Sequence, residues 1–91
     1  MSIPSVSIIV PTYKEALNLP LLIPQIASAM RSRGWLWEVI VIDDNSPDNT
    51  KAVLDDLSIS FPQLRYKIRT NERGLSSAVL AGLAMIRRNK K

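Results

Sequence analysis

The chain has 91 residues, 46% of them hydrophobic, and a formal net charge of +4. That length allows one small domain or part of a larger one, and the apolar content excludes a disordered segment. With no cysteine and no histidine, disulfide frameworks, thiolate zinc sites and Ser–His or Cys–His nucleophilic chemistry are excluded. No apolar run approaches the ~20 residues that span a bilayer, and no signal-peptide pattern opens the sequence.

In chain order, Val6–Val10 is a short run rich in β-branched residues, stopped by Pro11, and reads as a first strand. A polar loop, Pro11-Thr12-Tyr13-Lys14-Glu15, follows at its carboxyl end. Asn18 is placed to cap a helix in which Leu19, Leu22, Ile23, Ile26 and Met30 recur at helical spacing. Pro20 suits its first turn, Pro24 predicts a kink or a late start, and Gly34 fits the position after its end. Trp35 and Trp37 flank the next strand and read as packing residues.

That strand is Val39-Ile40-Val41-Ile42, four β-branched residues running into Asp43-Asp44-Asn45-Ser46-Pro47. The apolar run predicts a strand buried on both faces, as in the middle of a parallel sheet. Ser46 is a candidate N-cap and Pro47 a candidate first residue for a helix reaching Ser58, with Val53, Leu54 and Leu57 on its inner face. Leu64–Arg69 alternates apolar and basic and predicts a half-exposed edge strand. The loop Thr70–Gly74 leads to a last helix with Leu75, Val79, Gly82, Leu83 and Ile86 along one face. Gly82 predicts close approach to the sheet, and Arg87-Arg88-Asn89-Lys90-Lys91 a solvated helix end.

The pattern is β-α-β-α-β-α, an α/β unit with a parallel three-stranded sheet flanked by helices and no internal repeat or linker. The glycine-rich fingerprints G-x-G-x-x-G and G-x-x-x-x-G-K-[ST] are absent, since the only glycines are Gly34, Gly74 and Gly82. Loops 11–15 and 43–47 remain, at the carboxyl ends of neighbouring strands, where open α/β sheets hold ligands. They offer a ring to stack on a base (Tyr13) and carboxylates to accept from base N–H groups or ribose hydroxyls (Glu15, Asp44). The bland alternative is that Asp43 and Asp44 only cap and solvate a turn.

Three blocks, Val6–Glu15, Val39–Asp48 and Arg73-Gly74-Leu75-Ser76-Ser77-Ala78-Val79, resemble glycosyltransferase family 2, and within it the dolichol-phosphate (polyprenol-phosphate) mannosyltransferases. The resemblance runs from about Val6 to Ile86. It implies the Rossmann-like N-terminal part of a GT-A fold, strand order 3-2-1, with residues 1–91 a single nucleotide-sugar-binding subdomain. It also implies sugar transfer, typically mannose from GDP-mannose, to a polyprenyl phosphate, with a cytoplasmic or cytoplasmic-membrane-face location. Carried over by position, Pro11, Tyr13 and Glu15 contact the nucleotide, and Ile42 and Asp44 complete the guanosine pocket. Asp44 rather than Asp43 is then the ligand-facing acid. Arg73 either faces solvent, as loop arginines usually do, or approaches phosphate.

The departures from the family pattern are two. Lys14 stands where many members have Asn, and no D-x-D occurs in the 91 residues. In the family those carboxylates hold Mg²⁺ or Mn²⁺ against the leaving diphosphate. The expectation is therefore a nucleotide-recognising part cut before its metal strand, with no catalytic or metal-ligating residue of its own and no transferase activity alone. The first strand would keep an open apolar edge and promote self-association. A non-catalytic nucleotide-sugar-binding module is the alternative. Nucleic acid is not an expected partner, because Arg65, Lys67 and Arg69 make only a short basic stripe.

Overall fold

A computed structural model of the chain describes residues 4–71 and 73–86. The expectations for residues 87–91, and for Glu72 in the third loop, lie outside the described residues. The elements are β1 (Val6–Thr12), α1 (Leu19–Ser32), β2 (Trp37–Asp43), α2 (Thr50–Ser60), β3 (Leu64–Ile68) and α3 (Leu75–Met85). The three strands are parallel in the order β1-β2-β3, the expected 3-2-1 adjacency.

All seven positions of β2 are buried, because both faces of the sheet are covered. Alternation divides its side chains between two cores. Trp37, Val39 and Val41 pack with Leu19, Ile23 and Ala27 of α1 and Leu54 of α2. Ile40 and Ile42 face the other way, onto Ala78 of α3. Each such fully buried aliphatic side chain stabilises the fold by roughly 1.5–3 kcal/mol. Helices α1 and α2 cover one face, and α3 returns over β1 and β2 on the other. In open α/β sheets ligands lie outside the carboxyl ends of the strands.

Several local expectations need correction. Strand β1 does not stop at Pro11 but continues to Thr12, with Pro11 opposite Ile42 and Thr12 opposite Asp43. The Thr12 carbonyl accepts from the Asp44 N–H at 3.1 Å, so alternation turns the Pro11 backbone toward the open edge, where a missing N–H costs no ladder bond. Pro24 lies inside α1 without ending or delaying it. Pro20 and Pro24 are both exposed, so the Pro20 carbonyl that loses its helical donor is accessible to water.

Helix α1 ends as expected. Gly34 takes φ +66°, its N–H donates to the Arg31 carbonyl at 3.0 Å, and the Trp35 N–H to that of Met30 at 3.2 Å, a Schellman closure. Trp37 is core, but Trp35 is 46% exposed and lies beside the Arg33 guanidinium. Helix α2 starts at Thr50, three residues later than Pro47, with Asn49 at the N-cap and no side-chain cap bond; Ser46 is engaged elsewhere, and Asp48 accepts from the Thr50 N–H just ahead of the helix. On α3 the buried residues are Ala78 and Gly82, while Leu75, Val79, Leu80 and Leu83 are exposed. A Cβ on Gly82 would lie 2.5 Å from Ile9 Cγ2, so the helix sits too close to β1 for a larger residue. The small-residue stripe, not the leucine stripe, faces the sheet.

Candidate functional site

The block Asp43–Asp48 divides its labour residue by residue. The two acids point to opposite faces of the sheet, as strand alternation requires. Asp43 is 1% exposed and accepts from Thr12 Oγ1 (2.8 Å), Ser46 Oγ (2.7 Å) and the Ser46 N–H (2.8 Å). Those three bonds satisfy a buried carboxylate and fix the turn, so Asp43 is structural. Ser46 in turn accepts from the Lys14 N–H at 2.8 Å, locking the loop after β2 to the loop after β1. Asp48 accepts from the Thr50 N–H at 3.1 Å and from the Thr50 hydroxyl. The Thr50 hydrogen bond holds the Asp48 carboxyl below the usual carboxylate range against partial desolvation, with a further bond from the Ala16 N–H.

Each loop contains one non-glycine residue in the left-handed region, Lys14 at φ +58° and Asn45 at φ +56°. Asn tolerates that conformation; Lys does so at a cost of about 1 kcal/mol. The strain is held by the cross-loop bonds on either side of it.

Asp44 lies on the α3 side, on the face shared by Pro11 and Ile42. It is bound by a residue that the sequence reading assigned to a surface stripe. Arg69 is 5% exposed, and its Nε and Nη2 donate to Asp44 Oδ1 at 2.8 and 2.6 Å. Nη1 donates to Ser77 Oγ at 2.8 Å and Nη2 to the Gly74 carbonyl at 3.1 Å. The Gly74 N–H approaches Asp44 Oδ2 at 3.3 Å. One guanidinium thus ties β3 to the loop after β2 and to the first turn of α3. Arg65 is also paired, with Glu38 Oε1 at 2.8 Å. The expected basic stripe is therefore mostly two cross-strand ion pairs. The detectable signal was register: β3 places Arg69 one step beyond the Asp43–Ile68 pair, beside Asp44.

The remaining candidates fall around this hub. Tyr13 is 44% exposed and presents a ring beside which Lys14 Nζ lies at 5.4 Å and Arg73 Cζ at 5.8 Å. Pro11 is half-buried, beside Ile42, which is wholly buried beneath α3; Ile42 supports the site from below. Glu15 accepts from Asn18 Nδ2 at 3.0 Å and faces the start of α1. Pro11, Tyr13, Ile42 and Asp44 are thus drawn to one end of the sheet, with Glu15 at its margin.

The chain is similar to several known proteins. A dolichol-phosphate mannosyltransferase of Pyrococcus furiosus is 44% identical over 77 residues, 85% of this chain and 21% of that protein. One of Mycosarcoma maydis is 41% identical over 85 residues, 89% of this chain and 29% of that protein. A solved Pyrobaculum calidifontis mannosyltransferase, in complex with GDP-Man and Mn2+, superposes with a TM-score of 0.66 at 28% identity, covering 92% of this chain and 25% of that one. The chain therefore spans under a third of the length of the relatives it matches. The profile described as glycosyl transferase family 2 matches residues 7–89, nearly the whole sequence, and on that match the chain belongs to glycosyltransferase family 2.

Proposed function

We propose that this chain is the donor-recognising part of a mannosyltransferase that moves mannose from GDP-mannose to dolichyl or another polyprenyl phosphate at the cytoplasmic face of a membrane. The observation that carries the reading is the pair of locked loops at the carboxyl ends of β1 and β2, with Tyr13 and Asp44 at that end of the sheet. Relatives named dolichol-phosphate mannosyltransferase support the chemistry. Tyr13 stacks the base, Asp44 and Glu15 accept from base N–H groups and ribose hydroxyls, Pro11 forms a wall, and Ile42, buried beneath α3, backs the site. An ionised carboxylate has about four acceptor positions. Arg69 and Gly74 occupy three on Asp44, leaving Oδ2 one for a ligand.

The divalent metal of the solved relative finds no counterpart in these side chains. Among the described residues no three acidic, His or Cys groups gather into a metal site. Asp43 is buried in three hydrogen bonds, and Asp44 is paired with Arg69. On this reading the 91 residues bind donor without turning it over by themselves. The same observation favours, as a second reading, a nucleotide-sugar-binding module that performs no transfer. No helix of the described residues is long and apolar enough to cross a membrane.

Calorimetric titration with GDP-mannose and UDP-glucose, with and without Mn²⁺, tests the proposal. GDP-mannose is expected to bind more tightly. Asp44→Asn, which keeps the side-chain shape, is expected to weaken it roughly tenfold, the worth of one hydrogen bond to a charged group. Equal binding by parent and variant removes Asp44 from the site.

A further inference from the structure

Lys14 and Arg73 come from different loops, and both place their cationic groups against one ring. Lys14 Nζ lies 5.4 Å and Arg73 Cζ 5.8 Å from the centroid of Tyr13. Both residues are exposed, and their charged groups have no ion-pair partner among those found in the described residues. Arg69, by contrast, is buried and paired with Asp44. Among the described residues, two exposed positive charges without an ion-pair partner thus stand at Tyr13, near the paired and largely buried Asp44 and Arg69.

We propose that Lys14 and Arg73 form a cationic clamp for the diphosphate of the nucleotide that the pocket accepts; this rests on the reading of Tyr13 and Asp44 as the nucleoside site. A ring has two faces, and a stacked base takes one of them. A cation on that face leaves the ring when the base arrives, and the nearest anion is then the diphosphate attached to the same nucleoside. A charge-assisted bond to phosphate is stronger than an exposed cation–π contact, so the exchange favours binding. Long, exposed Lys and Arg side chains make the move without disturbing the core.

The two cations reach the site differently. The left-handed backbone at Lys14, held by the bond from its N–H to Ser46, projects its side chain from a fixed loop. Arg73 precedes Gly74, whose N–H and carbonyl are tied to Asp44 and Arg69. Both stems are anchored close to the charged heads. A clamp of this kind supplies charge neutralisation from side chains alone and discriminates diphosphates from nucleosides.

The test uses the 91-residue chain with guanosine, GMP, GDP and inorganic pyrophosphate as probes, titrated at low and high salt. In the parent, GDP is expected to bind at least tenfold more tightly than guanosine, with an advantage that shrinks as salt rises. The Lys14→Gln/Arg73→Gln double variant is expected to lose that advantage and to weaken pyrophosphate similarly, while guanosine binds as before. Lys14→Glu, tested alone, weakens GDP further than Lys14→Gln. The clamp is overturned if guanosine binds but GDP binds no more tightly, or if the double variant keeps the parent's GDP affinity. Failure of all the nucleosides and nucleotides to bind a folded parent overturns the pocket reading itself, and the clamp with it.

Discussion

Arg69 and Asp44 form a largely buried ion pair in which two guanidinium nitrogens share one carboxylate oxygen, with side chains 3% and 17% exposed. Removing one partner of such a pair leaves an uncompensated charge out of water, at a cost of about 3–5 kcal/mol. Arg69→Ala is therefore expected to lower the urea midpoint sharply. Arg69→Lys is expected to recover only part of it, because an ammonium cannot reach Asp44, Ser77 and Gly74 together. A variant as stable as the parent would show the pair to be incidental. Lys51–Asp55 is the contrast, with side chains 68% and 50% exposed, and Lys51→Ala is expected to change little.

Gly82 is a contact between α3 and β1 rather than a flexible point. Alanine normally improves a helix interior by about 1 kcal/mol. Here its Cβ would fall 2.5 Å from Ile9 Cγ2, and overpacking of that kind costs roughly 1–3 kcal/mol. Gly82→Ala is expected to destabilise the parent and to become neutral or stabilising once Ile9→Ala has emptied the space. A double-mutant cycle by chemical denaturation measures the coupling. Additive effects would remove the close approach as the reason for glycine.

Tyr66 donates to Asp55, and the two groups shift in opposite directions. The Tyr66 hydrogen bond, with help from Lys51, holds the Asp55 carboxyl below its ordinary range. The bond to Asp55, with partial desolvation, pushes the Tyr66 phenol up. A lowered acid contributes stability that is present above the unfolded value, about 3.9, and is lost as pH falls through the folded one. A raised phenol contributes below about 10 and loses its contribution as pH rises through its folded value. Ultraviolet titration of the phenolates is expected to show Tyr66 ionising later than an unperturbed tyrosine. Tyr66→Phe is expected to return the Asp55 carboxyl toward its ordinary value.

Among the described residues β1 pairs on one side only, and the open side is an apolar, β-branched strand. Such an edge is a template for another strand, so we expect the chain to self-associate at micromolar concentrations. The backbone groups of Ser7, Ile9 and Pro11 point to that side. Ser7→Pro removes an outward N–H while leaving the β1–β2 ladder intact, at the loss of the Ser7–Glu38 bond. Light scattering is expected to show the parent heavier than a monomer and Ser7→Pro closer to one. A monomeric parent would count against edge pairing.

How much of this was legible beforehand depends on the range of the interactions involved. Element order, the doubly buried β2 and the inner face of α2 follow from local hydrophobic period, and all are found in the fold. Helix starts were harder. Ser46, expected to cap α2, instead bridges Asp43 and Lys14, and the helix begins after Asn49, with Asp48 accepting from the Thr50 N–H. The inner face of α3 was read correctly at Gly82, which approaches the sheet as expected, but not at its large apolar residues, for a related reason. Hydrophobicity favours Leu75, Val79 and Leu83, yet the approach distance to Ile9 selects Ala78 and Gly82. Size, not polarity, decides which stripe fits against a sheet.

The sequence by itself determined the α/β order, the parallel sheet, the two loops at its carboxyl end and the family, because each is written in short-range pattern or in contiguous motif. Only the tertiary structure decided what the charges do. Arg69 looks like one of three basic residues on an edge strand, but register beside β2 and the return of α3 bury it against Asp44. Lys14 and Arg73 look like ordinary loop cations, separated by most of the chain, until the fold brings both to Tyr13. Coulombic partners are chosen by distance in space, and distance in space is what a linear sequence does not contain.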